Sequence, residues 1–347
     1  MSHPQDLITS NYANNRQTFI IPLTFPNIDD AKAIIERISY GGDIWEVRVD
    51  LLSETGVVGD TPSPAYVEAQ IKTLQSMSPL PILFTIRTES QGGNFPDDAA
   101  GQALELMTIA VDCGVAYIDV EIEWPASTIE KIVTKAKAAD TKIVASYHSW
   151  TGTVSWAGDE IQHRFAAADA FGDIIKLSIL SPDLKSTYEL GLYVCAHNHT
   201  HTHSQPRPKP LLAVGMGPHG QLSRITSPIS LVTHPLIPFP SAPGQLSLSQ
   251  VHQARHLMGL LARREVRVYG KDGGKVQAVK EALEVAFGEL GYPHVCAFGG
   301  AEGNVHGEDK LIIEDDSEGL VDVVKGYFEG LTGRRAPVSL IRESLKM

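Results

Sequence analysis

The sequence predicts a (β/α)8 barrel with a small C-terminal α/β appendage. Short apolar runs alternate with stretches of helical periodicity from Thr18 to about Leu261, the pattern of repeated βα units. Eight such runs occur, the number that closes a barrel. Polar residues gather at the C-terminal ends of several runs: Glu46 and Arg48, Arg87, Glu121, His148, Lys176 and Met216. A doubly wound sheet gives the same alternation but concentrates its site at one switch point, whereas a barrel collects residues from most strands at one mouth.

The runs read as strands are, in order, 18–23, 43–49, 81–86, 116–121, 142–147, 173–177, 211–214 and 231–237. Helical spacing marks 29–38, 66–76, 99–113, 127–139 and 159–171 between them. Asp29-Asp30 and Asp159-Glu160 are acidic starts that suit the positive end of a helix dipole. Residues 1–17 are polar and read as a flexible tail without the apolar core of a signal peptide. Residues 263–347 differ in character: a strand at 266–269, a glycine-rich turn at 270–274, helices at 276–290 and 318–331, and a strand at 295–298. Lys271-Asp-Gly-Gly-Lys275 lacks phosphate-loop spacing and predicts no nucleotide site.

A chain of 347 residues with 43% hydrophobic and 20% charged residues is ordinary for a globular protein. The net charge of −12 argues against nucleic acid or an anionic membrane as partner. No apolar run reaches transmembrane length. Cys113, Cys195 and Cys296 are far apart and form no CxxC motif. They predict neither a disulfide framework nor a zinc site, and so a reducing cytoplasm. The biased stretch 197–210 places histidines at alternate positions through His203. No acidic or thiol ligand stands beside them, so it reads as a solvated loop and the expected metal complement is none.

Lys176 is the most informative residue. It sits in the apolar run Asp173-Ile-Ile-Lys-Leu177, where an ammonium must be paired or neutral. Desolvation is expected to free the amine as a nucleophile toward a ketone. The preceding strand delivers His148, an imidazole for proton transfer. Each residue alone also fits a structural role. Glu46, Arg48 and Asp50 fit an ion-pair ladder, Arg87 a loop cap, and Asp119 and Glu121 a buried pair.

Six motifs in order narrow these alternatives: Glu46-Val-Arg48-Val-Asp50, Phe84-Thr-Ile-Arg87-Thr88, Ser146-Tyr-His148, Ile175-Lys176, Gly215-Met216-Gly217 with Ser223-Arg224, and Ser241-Ala-Pro-Gly-Gln245. Over about 18–262 the chain resembles type I 3-dehydroquinate dehydratases, especially the dehydratase domain of the fungal multidomain shikimate-pathway protein. The resemblance implies a (β/α)8 barrel, usually a homodimer, without metal or organic cofactor. It implies dehydration of 3-dehydroquinate to 3-dehydroshikimate, in the shikimate pathway or quinate breakdown. Lys176 would form the Schiff base and His148 would act as general base and acid. Arg224 would bind the carboxylate, and Ser241 and Gln245 would contribute from a closing loop. Glu46, Arg48 and Arg87 would bind ring hydroxyls, with Met216 against the ring and Gln91 and Glu121 in support.

Two departures stand out. Gln91 replaces a bacterial glutamate near the histidine, as in fungal members, and Ser149 replaces a common acid, implying lower activity. Residues 266–271 and 290–295 resemble the start of a shikimate dehydrogenase domain, but no dinucleotide fingerprint follows. Two other functions compete. A metabolite-sensing regulator like the quinate repressor needs no Schiff-base amine. An aldolase-type barrel does not need Arg224, Ser241 and Gln245 for a carboxylated polyhydroxy ring.

Overall fold

The computed structural model describes residues 6–57, 59–199, 208–298, 309–313 and 319–345. The chain divides into two compact units, one of residues 1–38 and 43–246, the other of residues 39–42 and 247–347.

In the first unit the order is α1 (Leu7–Ala13), β1 (Thr18–Leu23), a 3-10 turn (Ile28–Ala31), α2 (Ile35–Ile38), β2 (Ile44–Arg48), α3 (Pro64–Met77), β3 (Ile82–Thr85), α4 (Ala100–Asp112), β4 (Tyr117–Glu121), α5 (Ala126–Ala138), β5 (Lys142–Ser149), α6 (Asp159–Asp169), β6 (Ile174–Leu180), α7 (Leu184–His199), β7 (Leu211–Met216), α8 (Gln221–Thr226) and β8 (Ile229–Leu231). All eight strands are parallel, in the order β7-β6-β5-β4-β3-β2-β1-β8. This is a (β/α)8 barrel, as the alternation predicts.

Side chains alternate across each strand. Ile20, Ile44, Leu83, Tyr117, Val144, Ile174, Leu212 and Ile229 point inward and form one apolar cluster. Ala145, Tyr147, Ile175, Leu177, Leu211 and Ala213 belong to a second cluster on the helix-facing side. Two residues beyond the inward cluster, the same faces carry Glu46, Thr85, Asp119, Ser146 and Lys176. Two further on stand Arg48, Arg87, Glu121, His148 and Ser178. The barrel therefore has an apolar floor and a polar mouth.

Four local features differ from the sequence reading. Where a flexible tail is expected, α1 forms and packs Ile8 into the apolar floor. Its first turn is tied down: the Ile8 N–H donates to the Tyr117 hydroxyl, which donates to Asp6 Oδ1, both at 3.0 Å. The expected helix over 29–38 splits. The Asn27 carboxamide caps the Asp29 N–H at 3.0 Å and winds a 3-10 turn, separate from the single turn of α2. The eighth strand is Ile229–Leu231, not 231–237. The Val232 N–H still donates to the Ile20 carbonyl, but the Thr233 N–H turns to the Leu246 carbonyl, so the chain leaves the ladder before His234 and Pro235. Residues 197–199 of the histidine-rich stretch end α7, and 200–207 lie outside the described residues.

The second unit contains α9 (Leu248–Leu257), β9 (Glu265–Tyr269), α10 (Gly273–Glu289), β10 (Val295–Phe298), β11 (Asp309–Ile312), α11 (Leu320–Thr332) and α12 (Val338–Ser344). Its strands form a parallel sheet in the order β10-β9-β11. The turn after β9 closes with Asp272, which caps α10 by accepting from the Gly274 and Lys275 N–H groups. Val279, Leu283, Phe287 and Phe328 are fully buried within the unit. Among the described residues, no helix is long and apolar enough to cross a membrane.

Because Ile8 is fully buried in the barrel floor, Ile8→Ala is expected to cost about 2–4 kcal/mol of stability by emptying a packed site. Urea denaturation followed by tryptophan fluorescence checks this; a cost below experimental error would mean that α1 is not part of the floor.

Candidate active site

The mouth of the barrel holds a cavity lined by residues from six strands and the connections that follow them, including Glu46, Arg48, Arg87, Gln91, His148, Lys176, Met216, Arg224, Ser241 and Gln245. The structure thus gathers ten of the eleven residues singled out in the sequence. Glu121 is the exception. It is buried and accepts from Arg87 Nη1 at 2.6 Å and from the Thr88 N–H and hydroxyl at 3.1 and 2.6 Å. Its role is to hold Arg87 and the β3 end.

Lys176 Nζ donates to Asp119 Oδ2 at 2.8 Å and Glu46 Oε1 at 3.1 Å. All three side chains are 3% exposed or less. Two buried carboxylates thus flank the amine, which the sequence reading placed only within an apolar run. Asp119 also accepts from Arg87 Nη2 at 2.9 Å and from the Ser146 hydroxyl. Burial pushes its carboxyl up, but Arg87 and Lys176 outweigh that and hold it below the usual range. Burial likewise opposes charge on Arg87, and Asp119 and Glu121 reverse this and raise its pKa. Arg48 is gripped on two sides by Asp50, at 2.8 and 2.7 Å.

His148 and Lys176 lie on neighbouring strands, with Ser146 opposite Lys176 in register. The Gln91 carboxamide oxygen accepts from the His148 N–H at 2.9 Å and lies 3.2 Å from Nδ1. That oxygen selects the tautomer protonated at Nδ1 and leaves Nε2 with its lone pair. Burial pushes the imidazole pKa well below its ordinary value, and Arg87, Lys176 and Arg48 push it the same way. The histidine is therefore a neutral base at neutral pH. Ser149, one residue on, points to the opposite face and hydrogen-bonds with Thr151 at 3.2 Å. A side chain at that position does not line the cavity.

Arg224 differs from the other cations. It is 3% exposed, and among the described residues it pairs with no carboxylate. Nη2 donates to the Pro243 carbonyl at 3.3 Å, and Nε has no partner. Burial alone lowers its pKa to about 10. A desolvated guanidinium without a counter-ion is an anion site. The loop 241–245 lies beside it. Gln245 Oε1 accepts from the Ser241 N–H at 2.8 Å, and the Pro243 carbonyl accepts from the Gly217 N–H at 3.1 Å. Gly217 and Gly244 both have positive φ, and a Cβ on Gly244 would lie 2.3 Å from the Gly217 carbonyl, so this close pass requires glycine.

The sequence reading leaves out Thr85, Ser146, Trp150 and Ser178, and treats Asp119 only as a buried pair. Thr85, Asp119, Ser146 and Ser178 share the inward two-residue phase of Glu46 and Lys176, a signal available once the strands are aligned. Trp150 follows β5 and is placed by the loop after β3, where its indole N–H donates to the Gln91 carbonyl at 2.8 Å. Among the described residues no group of three or more His, Cys, Asp or Glu side chains could hold a metal ion.

Residues 19–262 match the model of the type I 3-dehydroquinase family. The chain belongs to that family. It is 38% identical over 280 residues to the pentafunctional AROM polypeptide of Malassezia globosa, covering 80% of this chain and 17% of the relative. It is 35% identical over 295 residues to that of Mycosarcoma maydis, covering 84% and 17%. The chain thus spans about a sixth of the length of the curated relatives it matches. A solved dehydroquinate dehydratase and shikimate dehydrogenase from S. pombe AroM is 32% identical, with a TM-score of 0.77 over 90% of this chain and 55% of that one. A type I 3-dehydroquinate dehydratase from Clostridium difficile, 24% identical with a TM-score of 0.57, shares the fold over 70% of this chain and 92% of its own. Type I dehydroquinases are enzymes, and ten of the residues singled out in the sequence line this chain's cavity.

Gln91→Glu would place a carboxylate 3.2 Å from Nδ1. A negative charge favours the imidazolium, so the His148 pKa is expected to rise. The acid limb of kcat/KM should then move to higher pH, because less neutral base remains at a given pH. A pH–rate profile, with the His148 ring resonances followed by NMR, checks the direction; a limb that stays or falls contradicts the orientation given to Gln91.

Proposed function

We propose that this chain dehydrates 3-dehydroquinate to 3-dehydroshikimate through a Schiff base on Lys176, with His148 as general base and then general acid. The observation that carries the reading is one cavity lined by a buried lysine, a neutral histidine and an arginine with no carboxylate partner among the described residues. These are the three functions that a carboxylated ketone undergoing β-elimination requires.

Arg224 receives the substrate carboxylate, which supplies the missing counter-ion. Glu46, Arg48, Arg87, Ser241 and Gln245 bind the ring hydroxyls, and Met216 packs against the ring. Lys176 attacks the C3 ketone and water departs, leaving an iminium. The cationic nitrogen withdraws electrons and acidifies the C2 proton. His148 Nε2 takes that proton, and the C1–O bond breaks as the imidazolium returns it to the departing hydroxyl. Hydrolysis of the product iminium releases 3-dehydroshikimate and restores the lysine. The chemistry needs no metal or organic cofactor.

Several finer assignments belong to the same reading. The partner is a small-molecule substrate, with neither nucleic acid nor membrane involved, and the family resemblance implies a homodimer. The pathway is aromatic biosynthesis or quinate catabolism. The unpaired Cys113, Cys195 and Cys296 suit a cytoplasmic enzyme. The division into a dehydroquinase domain at 18–262 and an appended fragment at 263–347 is likewise a proposal.

An absorbance assay with 3-dehydroquinate that follows the conjugated enone of the product tests the reaction. Lys176→Ala is expected to abolish turnover and the borohydride-trapped adduct while ligand binding persists. Undiminished turnover in that variant would remove the Schiff-base assignment. An inert wild-type chain that still binds ligand would favour metabolite sensing. Arg224→Ala is expected to raise KM by about tenfold to a hundredfold with a smaller change in kcat, since a carboxylate grip is similar in ground and transition states. Steady-state kinetics at matched pH checks that split; a fall in kcat at constant KM would contradict it.

A further inference from the structure

We propose that Asp119 is the positioning residue that keeps the one remaining N–H of the Lys176 iminium, so that Glu46 is released from the nitrogen to accept a substrate hydroxyl. The proposal rests on the Schiff-base reading above and assigns a division of labour between the two carboxylates that flank Nζ.

The balance of the condensation carries the argument. An ammonium and a ketone give an iminium and water. The nitrogen forms a bond to carbon, the carbonyl oxygen leaves as water, and two of the three ammonium protons leave with it. The positive charge stays on nitrogen, but the number of N–H donors falls from three to one. In the free enzyme Nζ donates to two carboxylates, Asp119 Oδ2 at 2.8 Å and Glu46 Oε1 at 3.1 Å. After condensation only one can keep its bond.

Three features favour Asp119. It has the shorter contact. Its side chain is fully buried and does not line the cavity, so it lies behind Nζ relative to substrate, whereas Glu46 lines the cavity. It is also held independently of the lysine, by Arg87 Nη2 at 2.9 Å and by the Ser146 hydroxyl. A fixed anion behind the nitrogen aims the C=N bond outward into the cavity and opposes its charge. Glu46 is suited to the other task. The Thr85 hydroxyl donates to Glu46 Oε1 at 3.0 Å, so the carboxylate keeps a donor when Nζ turns away. Glu46 thereby changes from an ammonium partner to a substrate acceptor within one step.

The test compares Asp119→Asn with Glu46→Gln, with rates expressed per folded protein from near-ultraviolet circular dichroism. Loss of a charge-assisted hydrogen bond to the reacting nitrogen is expected to lower kcat of Asp119→Asn by about tenfold to a hundredfold, with KM within about threefold. Glu46→Gln is expected to raise KM by about tenfold or more, because its partner is the substrate. Mass spectrometry after borohydride should show less Lys176 adduct in Asp119→Asn than in wild type at equal substrate. Wild-type kcat and adduct in folded Asp119→Asn would overturn the proposal while leaving the Schiff base intact. Absence of adduct in the wild type would instead remove the Schiff base itself. Should Asp119→Asn fail to fold, wild-type crystals soaked in 3-dehydroshikimate decide. An imine nitrogen on Asp119, with Glu46 turned to a ring hydroxyl, supports the assignment. A nitrogen on Glu46 and away from Asp119 overturns it.

Discussion

The burial of the Lys176 ammonium inside a closed barrel is the constraint on which the site depends. A charge in that position is tolerated only when compensating charges and donors are fixed around it. Asp119 and Glu46 supply the compensation, yet two buried carboxylates would themselves be costly. Thr85 donates to the same Glu46 oxygen as Lys176, Arg87 shares Asp119 Oδ2 with it, and Ser146 satisfies the other Asp119 oxygen. Glu121 and Thr88 in turn fix Arg87. The residues come from β2, β3, β4, β5 and β6 and the turn after β3, so the charge network joins five strands. Removal of any one member leaves a buried charge short of a partner.

The same network sets the state of the histidine. Burial is the main influence holding the His148 pKa down, and Arg87, Lys176 and Arg48 push it the same way. A carboxylate beside Nδ1 would oppose this effect. Gln91 provides orientation without that charge, since its oxygen holds the backbone N–H and the Nδ1 side of the ring. Arg224 stands outside this arrangement. Without a carboxylate partner among the described residues, it adds an uncompensated positive charge to a protein whose net charge is −12. Local attraction of an anion is thus built into the cavity against the sign of the whole chain.

The apolar floor explains why the polar mouth can exist. Along β2, Ile44 points into the floor, Glu46 stands above it and Arg48 higher still. The same succession runs through Tyr117, Asp119 and Glu121 on β4, and through Val144, Ser146 and His148 on β5. Packing below fixes the strands, and the strands then aim their polar ends at one another. Helix α1 takes part by closing the floor with Ile8, far from the chemistry but continuous with its support.

The sequence by itself indicated the barrel, because the alternation of strands and helices is a local property of apolar spacing and polar residues at many strand ends favoured a barrel over a doubly wound sheet. It also singled out Lys176, His148 and Arg224 through ordered motifs, and the structure brings them to one cavity. It placed the eighth strand too late, because the apolar run 231–237 does not reveal that Thr233 pairs with Leu246 instead of the sheet. It described 1–17 as a tail, because the burial of Ile8 depends on Tyr117, more than a hundred residues away. Only the tertiary structure decided which groups meet. The partnership of Lys176 with Glu46 and Asp119 joins three strands and is invisible in any local window. Glu121 was legible as a supporting strand-end acid, but its partnership with Arg87 was not. Charge depends on distance and burial, and both are set by how the strands close around one axis.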